Sequence, residues 1–200
     1  MTLKNRNKIR AVYELATIVE QEDGRAWYLV AQSICRTLSD EHGIPAFVAA
    51  GVVAALSPRN RWERNVQDAE ALIGAYLAGG AEQAEQTKVC TFGKNKGKAI
   101  AILSLSCPTD TDVKAILSGP KMIEFYQCIL GLDDVCIDGH AFCIWSGGRT
   151  GLKDVPSIGV KLRKEIKSDY RQVADELGLT AASLQAITWV AWRRIHGVTK

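Results

Sequence analysis

An all-α fold follows from three features of the sequence. Apolar residues recur at helical spacing along most of the chain, period-two alternation is nearly absent, and the connections between apolar segments are short, with no linker rich in Pro or Ser. Roughly ten helices with short links fit a chain of 200 residues.

Each segment has its own signal. Ala26–Ser39 places Trp27, Leu29, Val30, Ile34 and Leu38 near helical spacing. Ile44–Leu56 is apolar almost all round and reads as a buried central helix, ending at Ser57 because a residue before proline avoids the α region. Asn60–Leu77 carries Val66, Ala69, Leu72, Ile73, Tyr76 and Leu77 on one side, and Gly79-Gly80 is expected to close it. Ala81–Thr87 is a short amphipathic piece. Phe92–Leu105 follows, with Ile100, Ile102 and Leu103 as a core stripe. Cys107-Pro108-Thr109-Asp110 is a turn or helix start, and Val113–Leu117 is a short helix broken by Ser118-Gly119-Pro120. Lys121–Leu130 is another apolar helix, closed by Gly131. Val135-Cys136-Ile137 resembles a strand but is very short, and Asp138 is placed to cap a helix over His140–Trp145. A glycine-rich loop over Ser146–Asp154 precedes two final helices, Gly159–Leu177 and Ala181–His196.

Composition excludes some classes. Hydrophobic residues make up 47% and charged residues 24%, an ordinary globular balance. The longest apolar run, near Ala46–Leu56, falls short of the ~20 residues a membrane span needs. The basic N-terminus (Lys4, Arg6, Lys8, Arg10) has no apolar signal core behind it, so an intracellular, cytoplasmic protein is expected, with no membrane partner. None of the six cysteines forms a C-x-x-C pair, so reduced thiols are expected, with neither metal nor cofactor. Net charge is only +3, yet Lys88, Lys94, Lys96 and Lys98 form one acid-free cluster, and Lys161, Arg163, Lys164 and Lys167 form another basic cluster with Glu165 inside it. These patches are either parts of a phosphate-binding face or separate solvated helix surfaces.

The chemically informative stretch runs from Leu117 to Trp145. A short helix meets a glycine-containing hairpin, the next helix begins with Lys121, and Asp138 follows seventeen positions later at a helix start. Backbone N–H groups of such a hairpin and the positive end of its second helix can hold a phosphate without reading sequence. A carboxylate at a helix N-terminus is favoured in its charged form by the dipole and nearby N–H groups.

These residues resemble the helix-hairpin-helix (HhH-GPD) DNA glycosylase superfamily of endonuclease III and the oxoguanine glycosylases. That family's hairpin reads roughly Leu-Pro-Gly-Val-Gly-x-Lys-x-Ala, with a Val-Asp-x-His segment after an apolar helix. Gly119 matches the second hairpin glycine, Lys121 the lysine that is nucleophilic in bifunctional members, Asp138 the catalytic aspartate and His140 the histidine two places on. Ala55–Val66 resembles the helix boundary near the family's base pocket, Gly93–Leu103 its Asn-x-Lys-Ala-x-x-Ile helix, and Leu184–Arg194 its closing helix. The chain departs from the pattern where Leu117 replaces the first hairpin glycine, where the usual pocket glutamine is replaced around Arg59, and in having no four-cysteine cluster loop.

The resemblance implies a two-lobed helical glycosylase with a cleft between the lobes, lobe one over about 44–135 and lobe two over about 1–43 plus 136–200. It implies a monomer that acts on double-stranded DNA, flips a damaged or modified base from the stack and cleaves its N-glycosidic bond. Asp138 and Lys121 would be catalytic, the lysine acting as a Schiff-base nucleophile with lyase activity or as a phosphate contact. Gly119, Lys94, Lys96, Lys98 and His140 would contact DNA, and Arg59, Asn60, Trp62 and Trp145 would line the base pocket. A plain alternative stands beside each: Asp138 as a helix cap, His140 as a structural histidine, Arg59, Asn60 and Trp62 as a solvated turn, and Trp189 as a core residue. The base could be a repair lesion or a hypermodified viral base, the latter making the role antiviral defence. Two rival functions keep the fold: a transferase of viral thymine hypermodification, and a DNA-binding module without catalysis.

Overall fold

The computed structural model describes residues 2–151 and 154–198. The fold is all-α, with ten helices and no strand among the described residues. They are α1 (Thr2–Glu14), α2 (Ile18–His42), α3 (Ala46–Leu56), α4 (Trp62–Gln86), α5 (Gly93–Leu103), α6 (Asp110–Leu117), α7 (Pro120–Ile129), α8 (Gly139–Ser146), α9 (Val160–Leu177) and α10 (Ala181–Ile195). No helix among the described residues is long and apolar enough to cross a membrane. The chain divides into two compact units, one made of Ala31–Leu130 and the other of Met1–Val30 with Gly131–Lys200.

The Ala31–Leu130 unit is built around α3. Every residue from Val48 to Leu56 is buried, as a helix apolar on all sides requires. Gly51 lets α6 approach it: a Cβ there would lie 2.7 Å from Cγ1 of Val113. Leu72 and Ile73 of α4, Ile102 of α5, Leu117 of α6 and Tyr126 of α7 complete this core. Tyr126 keeps its ring inside by donating its hydroxyl to Oδ1 of Asp110 at 2.9 Å. Gly79 and Gly80 break α4 where the sequence places a helix end: they leave helical dihedrals (φ −149° and +66°), and the short piece expected after them forms the second part of α4, through Gln86 on the far side of the kink.

In the other unit, Ile9 and Val12 of α1 pack with Ile137, Ile144, Ile166, Tyr170, Leu184 and Ile187. The Trp145 indole N–H donates to Oδ2 of Asp169 at 2.8 Å, tying α8 to α9. Arg6 stands 3.5 Å from the other Asp169 oxygen and brings α1 to the same carboxylate. Asp134 accepts from Lys167 at 2.7 and 2.8 Å and from Arg171 at 3.2 Å, which fixes the extended 134–137 segment on α9. At Gly24, a Cβ would lie 2.5 Å from the Ile187 Cα, so α2 and α10 meet backbone to backbone there.

Two helix starts differ from the sequence reading. No helix was expected over residues 2–14, because only Ile9 and Val12 on α1 supply a buried stripe. α2 begins eight residues before Ala26, at a reciprocal cap: Glu20 N–H donates to Thr17 Oγ1 (3.2 Å) and Thr17 N–H to Glu20 Oε2 (2.9 Å).

Candidate functional site

Asp138 sits where a buried extended segment turns into a helix. Val135, Cys136 and Ile137 are buried, and Arg163 of α9 donates to the Ile137 carbonyl at 3.2 Å, which fixes the chain one residue before the aspartate. Asp138 is the N-cap of α8, with extended dihedrals (φ −103°, ψ −174°), and its Oδ1 accepts the Ala141 N–H at 2.8 Å. Its Oδ2 makes no hydrogen bond to any described residue, and the side chain is half-buried. One oxygen therefore anchors the carboxylate and the other can meet a ligand, with the positive end of α8 behind it.

His140, two residues on, lies edge-on to Trp189 of α10 with ring centroids 6.4 Å apart. Trp189 also tilts against Trp27 of α2 at 5.4 Å, and Arg193 carries its guanidinium 4.4 Å above the Trp189 ring. Trp27, His140 and Trp189 are all half-buried, so this aromatic group is partly open to solvent. On the same face of α10, one turn before Trp189, the nearly buried Gln185 accepts the Tyr28 hydroxyl on Oε1 at 2.8 Å. Its amide N–H groups make no hydrogen bond among the described residues. A carboxylate, partly exposed aromatic rings and an amide held by Tyr28 are groups that a planar, polar-edged ring could meet.

The hairpin lies in the other unit. α6 begins with a reciprocal cap between Thr109 and Asp112 and ends at Ser118, which takes the left-handed conformation (φ +52°). The Ser118 N–H donates to Lys114 O at 3.0 Å and the Gly119 N–H to Leu117 O at 2.6 Å. Both turn amides thus point back into the hairpin, and any anion held here would meet the first turn of α7 instead. Pro120 opens that turn and Lys121 follows, half-buried. Lys121 and Asp138 belong to different units.

The three α5 lysines divide. Lys98 donates to Leu117 O at 2.5 Å and to Ser118 Oγ at 2.8 Å, closing the end of α6. Burial lowers the tendency of Lys98 to hold its proton, and the charge of Lys94 adds to this. Lys96 donates to the Glu85 carbonyl and lies 3.6 Å from its carboxylate. Lys94 is exposed.

Arg59, Asn60 and Trp62 gather at the start of α4. Arg59 adopts a left-handed conformation (φ +59°) and lays its guanidinium 5.1 Å from the centre of the exposed Phe92 ring. Asn60 donates to Asp68 Oδ2 at 3.0 Å, the same oxygen that accepts the Cys90 N–H at 2.7 Å, while Arg64 holds Oδ1 at 2.7 Å. The buried Asp68 thereby joins the turn bearing Arg59 to the loop bearing Phe92. Trp62 packs edge-on to Phe125 at 6.4 Å.

Two tryptophans exchange the roles their spacing suggested. Trp145 is 9% exposed and its N–H is held by Asp169, so its ring belongs to the core and not to an open pocket. Trp189 is the half-exposed ring. Sequence reasoning did not find Tyr28 of α2 and Gln185 of α10, which the fold joins by a hydrogen bond. Only the i, i+4 spacing of Gln185 and Trp189 carried any trace of them.

Among the described residues no group of three or more His, Cys, Asp or Glu side chains could hold a metal ion. Comparison with the curated proteins and with the solved structures finds no match. Residues 2–196 match the model of a family described as a family of unknown function (DUF7178), and the chain belongs to that family.

Proposed function

We propose that the chain is a DNA glycosylase of the two-lobed HhH-GPD type, with Asp138 as its essential carboxylate. The observation that carries this reading is the division of labour within that side chain: Oδ1 is fixed by the Ala141 N–H, while Oδ2 has no partner among the described residues. The helix cap alone would need only the first oxygen.

The target nucleotide leaves the stack and its base enters the aromatic group, at a cost of a few kcal/mol of lost pairing and stacking. Trp189, backed by Trp27 and Arg193, supports a flat ring. The Gln185 N–H groups, oriented by Tyr28, donate to a carbonyl edge. As the C1′–N bond breaks, the sugar gains oxocarbenium character, and the Asp138 carboxylate stabilises that charge. Water then adds its oxygen to C1′ and its proton passes to Asp138, while the bond's electron pair leaves with the base.

Lys121 enters in one of two roles. As a nucleophile it would attack C1′ through its neutral amine and form a Schiff base, with β-elimination to follow. As a cation it would hold phosphate together with the first turn of α7 and Lys94. Double-stranded DNA is the proposed partner and a monomer the proposed acting form.

Incubation with DNA carrying natural, damaged and hypermodified bases, followed by mass spectrometry of the small-molecule fraction, tests the reading. Release of a free base that is lost in Asp138→Asn supports it. No release from any DNA, or an adduct on the base instead of its release, counts against it.

A further inference from the structure

Arg193 follows Trp189 by one turn of α10 and folds back along the helix, its guanidinium carbon 4.4 Å from the centre of that ring. The side chain is half-buried, and its N–H donors meet no acceptor among the described residues. A half-buried guanidinium has given up part of its hydration, and charged donors without an acceptor are then costly. Its neighbour is the contrast: Arg194 is taken up by both oxygens of Glu20 and by the Leu15 carbonyl. In the same unit Arg6 faces Asp169, Arg10 faces Glu176 and Arg171 faces Asp134. Nor does Arg193 cap its helix. The Val198 N–H donates to Arg193 O at 2.8 Å and the Gly197 N–H to Arg194 O at 3.1 Å, with Gly197 left-handed (φ +58°), so backbone amides close these last carbonyls.

We infer that Arg193 holds a backbone phosphate of DNA beside the nucleotide whose base enters the Trp189 group. The inference rests on the reading of that group as the base site and names the phosphate contact that goes with it. The attraction between a cation and a ring face fixes the guanidinium without using its N–H donors. The planar fork they form matches two oxygens of a phosphate. His140 lies edge-on to the same ring at 6.4 Å and stands two residues after Asp138, so Trp189 links the arginine to the start of α8. Base and phosphate of one nucleotide are a sugar apart, and a base that meets Trp189 brings its phosphate toward the residue stacked on that ring. Such a contact positions the nucleotide without reading sequence.

Arg193→Ala is compared on the full chain with the wild-type protein, with Arg193→Lys and with Arg10→Ala, which removes an equal charge from an ion-paired site. The probe is a short DNA duplex, its affinity read over a series of salt concentrations, with Tm read alongside. Arg193→Ala should weaken binding about tenfold or more, as when a charged hydrogen bond is lost. It should lower the slope of log K against log salt by about one contact and leave Tm unchanged or raised. Arg193→Lys should keep the slope and lose part of the affinity, because an ammonium carries the charge without the fork. Arg10→Ala should keep the slope. An unmoved slope in Arg193→Ala overturns the inference, as does an equal fall in Arg10→Ala, which would make the effect one of net charge. Loss of thymidine monophosphate binding in Arg193→Ala with the duplex slope unmoved also overturns it, because the site would then take free nucleotides. If the wild-type protein releases no base, the slope still decides: a fall confined to Arg193→Ala keeps the phosphate contact while the glycosylase reading fails.

Discussion

The Tyr28 hydroxyl donates to Oε1 of the buried Gln185 at 2.8 Å, and that bond fixes which way the amide is turned. On the proposed reading, its N–H donors face the base. Tyr28→Phe frees the amide to turn over, and Gln185→Ala removes it. Both variants should lower kcat/KM for the preferred base by 10- to 100-fold, the ~1–3 kcal/mol of one buried hydrogen bond left unmet. Competing bases that lack a carbonyl edge should be affected less. Equal losses for all bases would show that Gln185 supports α10 without reading the base.

The α5 lysines should separate on two instruments. Lys94→Ala removes an exposed charge, so Tm should hold while DNA affinity falls and the slope of log K against log salt drops by about one contact. Lys98→Ala removes the ammonium that closes α6 onto Ser118, so Tm should fall in a thermal melt. A Tm loss in Lys94→Ala with an unchanged salt slope would reverse the assignment.

Arg194 gives a pH-dependent stability. Its hydrogen bond to Glu20 holds that carboxyl below its ordinary value of 4.5, with the Thr17 N–H assisting and burial opposing. A lowered folded-state value stabilises above the ordinary one and is lost as the pH falls through the folded one. The Tm gap between the wild-type protein and Arg194→Gln should therefore be widest near pH 7 and narrow below about pH 4. A gap that stays constant from pH 7 to pH 3 would assign the whole effect to the Arg194–Leu15 carbonyl bond.

Lys121 is tested by trapping. If its amine forms a Schiff base, borohydride should fix a covalent protein–DNA adduct at Lys121, located by peptide mass spectrometry, and Lys121→Ala should abolish it. If Lys121 only holds phosphate, no adduct forms, base release persists in Lys121→Ala, and the salt slope falls by about one contact.

Much of the helical frame was legible in the sequence because its signals are local. The all-round apolar stretch over Ala46–Leu56, the Ser57-Pro58 stop and the Asp138 cap each depend on neighbours a few residues away. α1 escaped because only Ile9 and Val12 face the core among many charged residues. The Thr17/Glu20 cap was legible and overlooked. Of the candidate site, the sequence points to Asp138 and His140 and carries no signal for the Tyr28–Gln185 pair. Gln185 is oriented by Tyr28 across 157 positions of chain, and Asp169, 24 residues from Trp145, decides that this indole is core. Spacing along one helix does not encode such pairings, so Trp145 and Trp189 were assigned to each other's environments.

The most direct measurement compares base release by the wild-type protein and by Asp138→Asn. Asparagine is as good an N-cap as aspartate, so α8 and Tm should be retained while the negative charge is lost. Asp138→Ala, by contrast, should lose about 1 kcal/mol of cap. Asp138→Asn is expected to keep DNA affinity and lose base release by at least 100- to 1,000-fold, as when a preorganised group facing transition-state charge is removed. Base release undiminished in Asp138→Asn would contradict the account and leave residue 138 as a helix cap.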